Sequence, residues 1–293
     1  MRVISQKRLF IEKQDVHGVM KNPWYRGIFG VFLRAGFTIS TLFSNTIDIR
    51  AENVEFVFSN LPKEFDNVSV LFITDLHLDG VGTLADRVVN IVSEIDYDYC
   101  IMGGDYSDSR DQDYSHAYSQ IKQIAEMLRE KSRVFGILGN YDRYSIAKVL
   151  DGCGVEMLMN EGICLERNGD KIYLAGIDDS SHYKADDIAL ADSNAWDGAF
   201  KITVCHSPSK YKEAAKAGYS LYLTGDTHGG QICLPGGFVL FPGPTAKRKM
   251  VKGKWNYKSM IGYTSRGVGT SRINVRYFCL PEITVITLRY GEQ

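Results

Sequence analysis

Seven side chains in this 293-residue sequence are of types that bind divalent cations, and they fall in short, ordered clusters. They are Asp75 and His77, Asp105, Asn140, His206, and Asp226 and His228. Carboxylate, imidazole and amide-carbonyl groups together suit divalent ions from the borderline to the hard end of the scale. Two such ions about 3.5–4 Å apart can activate a water and clamp the oxygens of an in-line displacement at phosphorus. One carboxylate must then bridge the ions, and short loops must reach both. Glycines at 103, 104, 139, 225, 229 and 230 let the backbone come close.

The elements that carry these residues can be read from apolar patterning. Asp75-Leu76-His77 follows Val68 to Ile73, a near-continuous apolar run expected of a buried strand. Gly103-Gly104-Asp105 follows the strand-like Tyr99 to Met102, and Gly139-Asn140-Tyr141-Asp142 follows Val134 to Leu138. His206 follows Lys201 to Cys205, and Gly225-Asp226-Thr227-His228 follows Ser220 to Thr224. Ligands of open α/β sheets bind outside the carboxyl ends of the strands. Five strand ends that deliver Asp, His and Asn are hard to explain as packing.

Helix-spaced apolar residues separate the first strands: Leu84 to Ile95, Ile121 to Leu128 and Ile146 to Leu150. Alternating strand and helix indicates a layered α/β sheet. The second half is richer in strands. Gly162 to Leu165 and Ile172 to Ile177 flank the turn signal Asn168-Gly169, and Glu282 to Leu288 closes the series. A helix is expected around Lys210 to Ala217. The expected architecture is two packed sheets flanked by helices.

Composition narrows the function. A formal charge of −1 argues against a general nucleic-acid binder. The six cysteines form no C-x-x-C pair and several sit in apolar runs, as reduced cysteines do; a reducing, cytoplasmic compartment is expected. Arg2, Lys7, Arg8, Glu12 and Lys13 interrupt any signal-peptide core, and no run of about 18 charge-free apolar residues occurs. The sequence reads as an N-terminal appendage over 1–50 and one domain over 51–293. Residues 16–47 hold no Asp or Glu, and 24–43 combine Trp24, Tyr25, Arg26 and Arg34 with a bulky apolar stripe. Such a segment suits the inner face of a membrane, or packs on the domain's own core. The run Lys247, Arg248, Lys249, Lys252 and Lys254 suits anionic lipid or a solvated face.

Taken in order, these motifs resemble the calcineurin-like metallophosphoesterases, with D-x-H, G-D, G-N-H-[DE], a lone H and G-H-x-H. The resemblance covers about residues 53–290 and extends to a bacterial branch with His228-Gly229-Gly230-Gln231, Ser265-Arg266-Gly267-Val268-Gly269-Thr270-Ser271 and Pro281-Glu282-Ile283. It implies a four-layer α/β/β/α sandwich of two mixed sheets, and a two-metal site. By position, Asp75, His77, Asp105 and His228 would hold one ion. Asp105, Asn140, His206 and Asp226 would hold the other, with Asp105 bridging. Two positions depart from the pattern. Asp226 replaces the first His of G-H-x-H, which makes the second half richer in oxygen and favours Mn²⁺ or Mg²⁺ over Zn²⁺. Tyr141 replaces a catalytic His; it can hydrogen-bond a phosphoryl oxygen but is a poorer proton donor at neutral pH.

That substitution suits a leaving group that needs little protonation, such as a phosphate. In the branch, pyrophosphatases acting on UDP-2,3-diacylglucosamine also lack His there, typically carrying Arg. The leading substrate expectation is therefore that acylated nucleotide sugar, cleaved to UMP and a lipid monophosphate as in lipid A synthesis. The alternatives are a phosphodiesterase acting on another phospholipid-like or small substrate, and a non-catalytic scaffold. Arg266 and Arg272 flank a Gly-rich turn and are candidates to grip substrate phosphate. Asp178 and Asp179 read as structural, and His17, His116 and His182 lack the context of ligands.

Overall fold

The computed structural model describes residues 44–108, 115–240, 242–243 and 246–292. The segment 24–43, expected at a membrane or on the core, lies outside them, as does most of the expected appendage.

Alternation along the strands decides the layering. In β2 (Ser69–Ile73), Leu71 and Ile73 face one way and Val70 and Phe72 the other, and all four are buried. Leu71 and Ile73 pack with Cys100 and Met102 of β3 (Tyr99–Met102) against α1 (Leu84–Ser93), α2 (Ser115–Lys131) and α3 (Tyr144–Gly152). Val70 and Phe72 join Ile101 and meet the second sheet, through Leu174 of β7 (Asp170–Ile177), Ile202 and Val204 of β8 (Lys201–Cys205) and Leu221 and Leu223 of β9 (Leu221–Thr224). On that sheet's far side Tyr173, Cys205 and Tyr222 pack with Ala191 of α4 (Ile188–Ala191) and Tyr211 and Ala214 of α5 (Tyr211–Lys216). Strands apolar on both faces must be covered on both. The result is two mixed sheets with flanking helices, as expected.

The first sheet runs β1 (Arg50–Phe58), β14 (Glu282–Tyr290), β2, β3, β4 (Arg133–Gly136) and β5 (Glu156–Met157). Strands β2 to β5 are mutually parallel, and β14 is antiparallel to β2 but parallel to β1. The second runs β12 (Gly253–Tyr257), β13 (Met260–Thr264), β9, β8, β7 and β6 (Glu161–Arg167), parallel from β13 to β7 with an antiparallel strand at each edge. A small hairpin, β10 (Cys233–Leu234) with β11 (Phe238–Val239), stands apart from both.

The pair β12–β13 was not expected, because Lys252, Lys254 and Lys258 break up the apolar pattern around Trp255. Residues before β1 already belong to the domain: Ile49 is buried and Asn45 donates its N–H to the Arg276 carbonyl. No helix among the described residues is long and apolar enough to cross a membrane.

Candidate metal centre

All five sequence clusters meet at one rim, where the carboxyl ends of β2, β3 and β4 face those of β8 and β9. Asp75, His77 and Asp105 come from the first sheet, and His206 and His228 from the second; all are buried. The backbone turns sharply as it leaves each strand. Asp75, His77, Asp105, Asp226 and His228 all adopt positive φ, between 39° and 68°. For residues other than glycine this costs on the order of 1–3 kcal/mol each and persists only where the surroundings enforce it. They do so here: Asp75 donates its N–H to the Gly104 carbonyl, His77 to that of Asp105, and Gly225 to that of His206.

One carboxylate fixes the first-sheet loops. Asp142, fully buried, accepts from the N–H groups of Asp105 at 2.7 Å, Tyr106 at 2.9 Å and Gly139 at 2.7 Å. Charge-assisted bonds of this kind are the strong ones. Tyr141 donates its N–H to Asp105 Oδ1 at 2.9 Å, which leaves Asp105 Oδ2 directed at the histidines. Close approach needs glycine: a Cβ on Gly139 would overlap Asp105 Oδ1, and one on Gly225 would overlap Asp75 Oδ2.

The donor atoms converge. Asp105 Oδ2 lies 3.0 Å from His206 Nε2 and 3.6 Å from His77 Nε2, between the two expected half-sites, where a bridging ligand would stand. Asp75 Oδ1 lies 3.5 Å from His228 Nε2 and 3.8 Å from His206 Nε2. Ligands bound about 2.1 Å from one ion are separated by roughly 3.0–3.4 Å across an octahedral or tetrahedral edge, close to the shorter of these spacings. Two donor groups, Asp75–His77–His228 and Asp75–Asp105–His206, are compact enough to hold a cation. Asp226 stands further out, its Oδ1 4.0 Å from His206 Nε2, while its N–H donates to Asp75. Asn140 Oδ1 is buried with no hydrogen-bond partner, as an atom reserved for a cation would be, and His206 Nε2 faces the site carboxylates alone.

The electrostatics agree. Burial pushes the carboxyl of Asp75 up to about 6 and that of Asp105 up to about 7. Burial pulls the His206 imidazole down, but Asp105, Asp75 and Asp226 outweigh it and hold the ring well above its ordinary value. Without an ion, this histidine's proton is the charge nearest the two aspartates. His206 Nδ1 lies 2.8 Å from the Gly103 carbonyl, which can only accept, so Nε2 is the nitrogen turned to the cation position. Burial, with His77 and Arg276 nearby, holds His228 well below its ordinary value, in the neutral form a metal requires. The donor set therefore fits two divalent ions.

Sequence reasoning gave Asp142 no role and missed Arg276. The Arg276 guanidinium is fully buried and donates to the carbonyls of Arg266, Gly267, Gly269 and His228. It thereby ties the loop behind Asp75 to the turn that carries His228; an arginine in an apolar run was the available signal. Of the two arginines expected to meet substrate, Arg266 is ion-paired with Glu52 and Glu282, and Arg272 is exposed at positive φ. Asp179 accepts from the N–H groups of Ser181, His182 and Tyr183, a structural role as expected.

A seam between two mixed sheets, carrying a buried Asp, His and Asn cluster of this geometry, defines a metal-dependent phosphoester hydrolase. Comparison with known proteins makes the family explicit: residues 68–230 match the model of the calcineurin-like phosphoesterases, and the chain belongs to that family. It is 30% identical over 242 residues to the uncharacterized metallophosphoesterase YkuE of Bacillus subtilis, covering 79% of this chain and 82% of that one. It is 23% identical over 250 residues to YkoQ, an uncharacterized metallophosphoesterase of the same organism, covering 82% and 90%. It is 26% identical over 229 residues to the phosphodiesterase YaeI of Escherichia coli, covering 75% and 81%.

Proposed function

We propose that this hydrolase cleaves a phosphoric diester or pyrophosphate whose leaving group departs without a strong general acid. The observation that carries this reading is Tyr141. Its ring stands edge-on to that of His77, centroids 5.6 Å apart, at the position where the family usually places a histidine. A phenol there can steady a phosphoryl oxygen, but it is a weak proton donor at neutral pH. Two divalent ions held by Asp75, His77, Asp105, Asn140, His206, Asp226 and His228 would supply Lewis acidity and a nucleophilic water. Asp105 joins the two half-sites, Asp142 fixes the loops that present Asp105 and Asn140, and the buried rings of His77 and His228 exclude bulk water from one side. The oxygen-rich half with Asp226 favours Mn²⁺.

The specific substrate proposed is UDP-2,3-diacylglucosamine, cleaved at its pyrophosphate to UMP and a lipid monophosphate. A second reading, a phosphodiesterase acting on another lipid-like or small diester, is favoured by the similarity to YaeI, which is named a phosphodiesterase. A Mn²⁺-supplemented assay of UMP release, comparing the diacylated nucleotide sugar with UDP-sugars lacking acyl chains, separates them. Acyl-dependent release supports the first. Cleavage of simple aryl diesters with the lipid left untouched supports the second. No turnover of any phosphoester, with Asp75→Ala leaving function intact, would refute both and indicate a scaffold.

A further inference from the structure

From Thr227 to Pro281 the chain carries nine Lys and Arg and no Asp or Glu, although it holds 35 acidic residues in all. A second acid-free stretch, residues 16–47, has Lys21, Arg26 and Arg34. The described end of the second stretch meets the first at Asn45. Asn45 donates its N–H to the Arg276 carbonyl, and its side-chain Oδ1 accepts the N–H of Phe278.

At this junction the surface is apolar as well as basic. The β10–β11 hairpin pairs Leu234 directly opposite Phe238, so both side chains stand on one face of the ribbon. Phe238 is 70% exposed, Phe278 54% and Leu234 47%. The hairpin and Phe278 are neighbours: Cys233 donates its N–H to the Tyr277 carbonyl, and a Cβ on Gly237 would touch the carbonyl of Phe278. Cations lie close by. Lys252 Nζ donates to the Gly237 carbonyl and Arg248 to that of Val239, and the residues flanking Arg248, Lys247 and Lys249, are exposed, Lys247 over the ring of Tyr211.

Exposed Leu234 and Phe238 on a short hairpin, with Phe278 beside it and cations from an acid-free stretch of chain close by, form a surface for shallow burial in an anionic lipid interface. The rings would enter the acyl boundary while the basic residues meet the headgroups. A water-facing role does not explain why rings of this size remain uncovered. We propose that the β10–β11 hairpin and Phe278 dock this protein on the surface of an anionic bilayer. Gln231 and Ile232 join the hairpin to the turn of the metal ligand His228. Docking there holds the metal centre next to the lipid surface. The inference does not depend on which phosphoester is cleaved.

The test uses the full chain and sedimentation with sucrose-loaded vesicles. Wild type should pellet with vesicles of phosphatidylcholine containing 30% phosphatidylglycerol and much less with phosphatidylcholine alone, and the binding should weaken with added salt. Phe238→Ser with Phe278→Ser, and separately Lys247→Glu with Lys249→Glu, should each weaken binding about tenfold or more. Both pairs should leave hydrolysis of a soluble aryl phosphodiester unchanged. Binding by the phenylalanine pair equal to wild type would overturn the proposal, because some other segment would then hold the membrane. Absence of wild-type binding would also overturn it. So would a wild-type dimer in sedimentation velocity that the same pair converts to monomer, since a second copy would then cover the patch.

Discussion

Removing the Asp142 carboxylate tests whether the metal centre is built before the metal arrives. Asp142→Ala strips the acceptor from three buried N–H groups, those of Asp105, Tyr106 and Gly139, bonded at 2.7, 2.9 and 2.7 Å. A buried donor left unsatisfied costs about 1–3 kcal/mol. Three of them would cost about 3–9 kcal/mol before relaxation. The release of a buried carboxylate and the entry of water bring the expected loss to about 4 kcal/mol. Against a total of about 5–15 kcal/mol, the variant should fold but with a narrow margin. Asp142→Asn keeps one carbonyl oxygen and turns an amide toward the third donor, so about 2 kcal/mol is expected. Both changes free the loops that present Asp105 and Asn140, so Mn²⁺ affinity should fall at least about tenfold in Asp142→Asn. Urea unfolding of the chelator-treated protein gives the first quantity, and calorimetric titration with Mn²⁺ the second. If Asp142→Asn unfolds at the wild-type urea midpoint and binds Mn²⁺ with wild-type affinity, the loops are held by something else.

Three further outcomes are expected. Gly139→Ala drives a methyl group into Asp105 Oδ1, so Mn²⁺ stoichiometry should drop and kcat should fall by about 100-fold or more, read by calorimetry and diester hydrolysis. With Asp75 at about 6 and Asp105 at about 7, both above an ordinary 3.8, the metal-free native state binds more protons than the unfolded chain between these values. Its stability should therefore fall as pH rises from about 4 to about 7, while Mn²⁺ affinity rises over the same window; melting temperatures with chelator and with Mn²⁺ should diverge with pH. Arg276→Met removes a donor from four carbonyls, of which those of Gly267 and His228 keep the N–H groups of Glu282 and Gln231, and should cost about 3 kcal/mol, seen as a lower urea midpoint.

The strands that carry the ligands were legible because each is buried on both faces and reads as a continuous apolar run. Their termini were legible because glycine precedes Asp105, Asn140 and Asp226. What the sequence could not display is long-range. Asp142 looks like one more acidic residue until the chain brings Asp105 and Tyr106 to it across about 36 positions of sequence. Arg276 looks like a surface charge in a strand-like run, and only the folded loop shows four carbonyls aimed at it. The β12–β13 pair was hidden by lysines that reach solvent from the edge of a sheet, where period-two alternation is weak. Positive φ at Asp75, His77, Asp105, Asp226 and His228 also has no residue-type signature, since glycine is the usual marker of that conformation.

The position of β14 sets the order in which this molecule can come into being. This strand, the last among the described residues, lies between β1 and β2, parallel to the first and antiparallel to the second. During synthesis, β1 has no neighbour until residues 282–290 leave the ribosome, and the ligands after β2, β3 and β4 wait on a sheet with an unfinished edge. His206 and His228 arrive only after most of the chain has been made. A nascent chain can thus present half a set of ligands, and the sheet behind them closes only when residues 282–290 have joined it. Metal uptake is thereby tied to closure of the first sheet, and a chain truncated before β14 should be cleared by proteolysis before it takes up its ions.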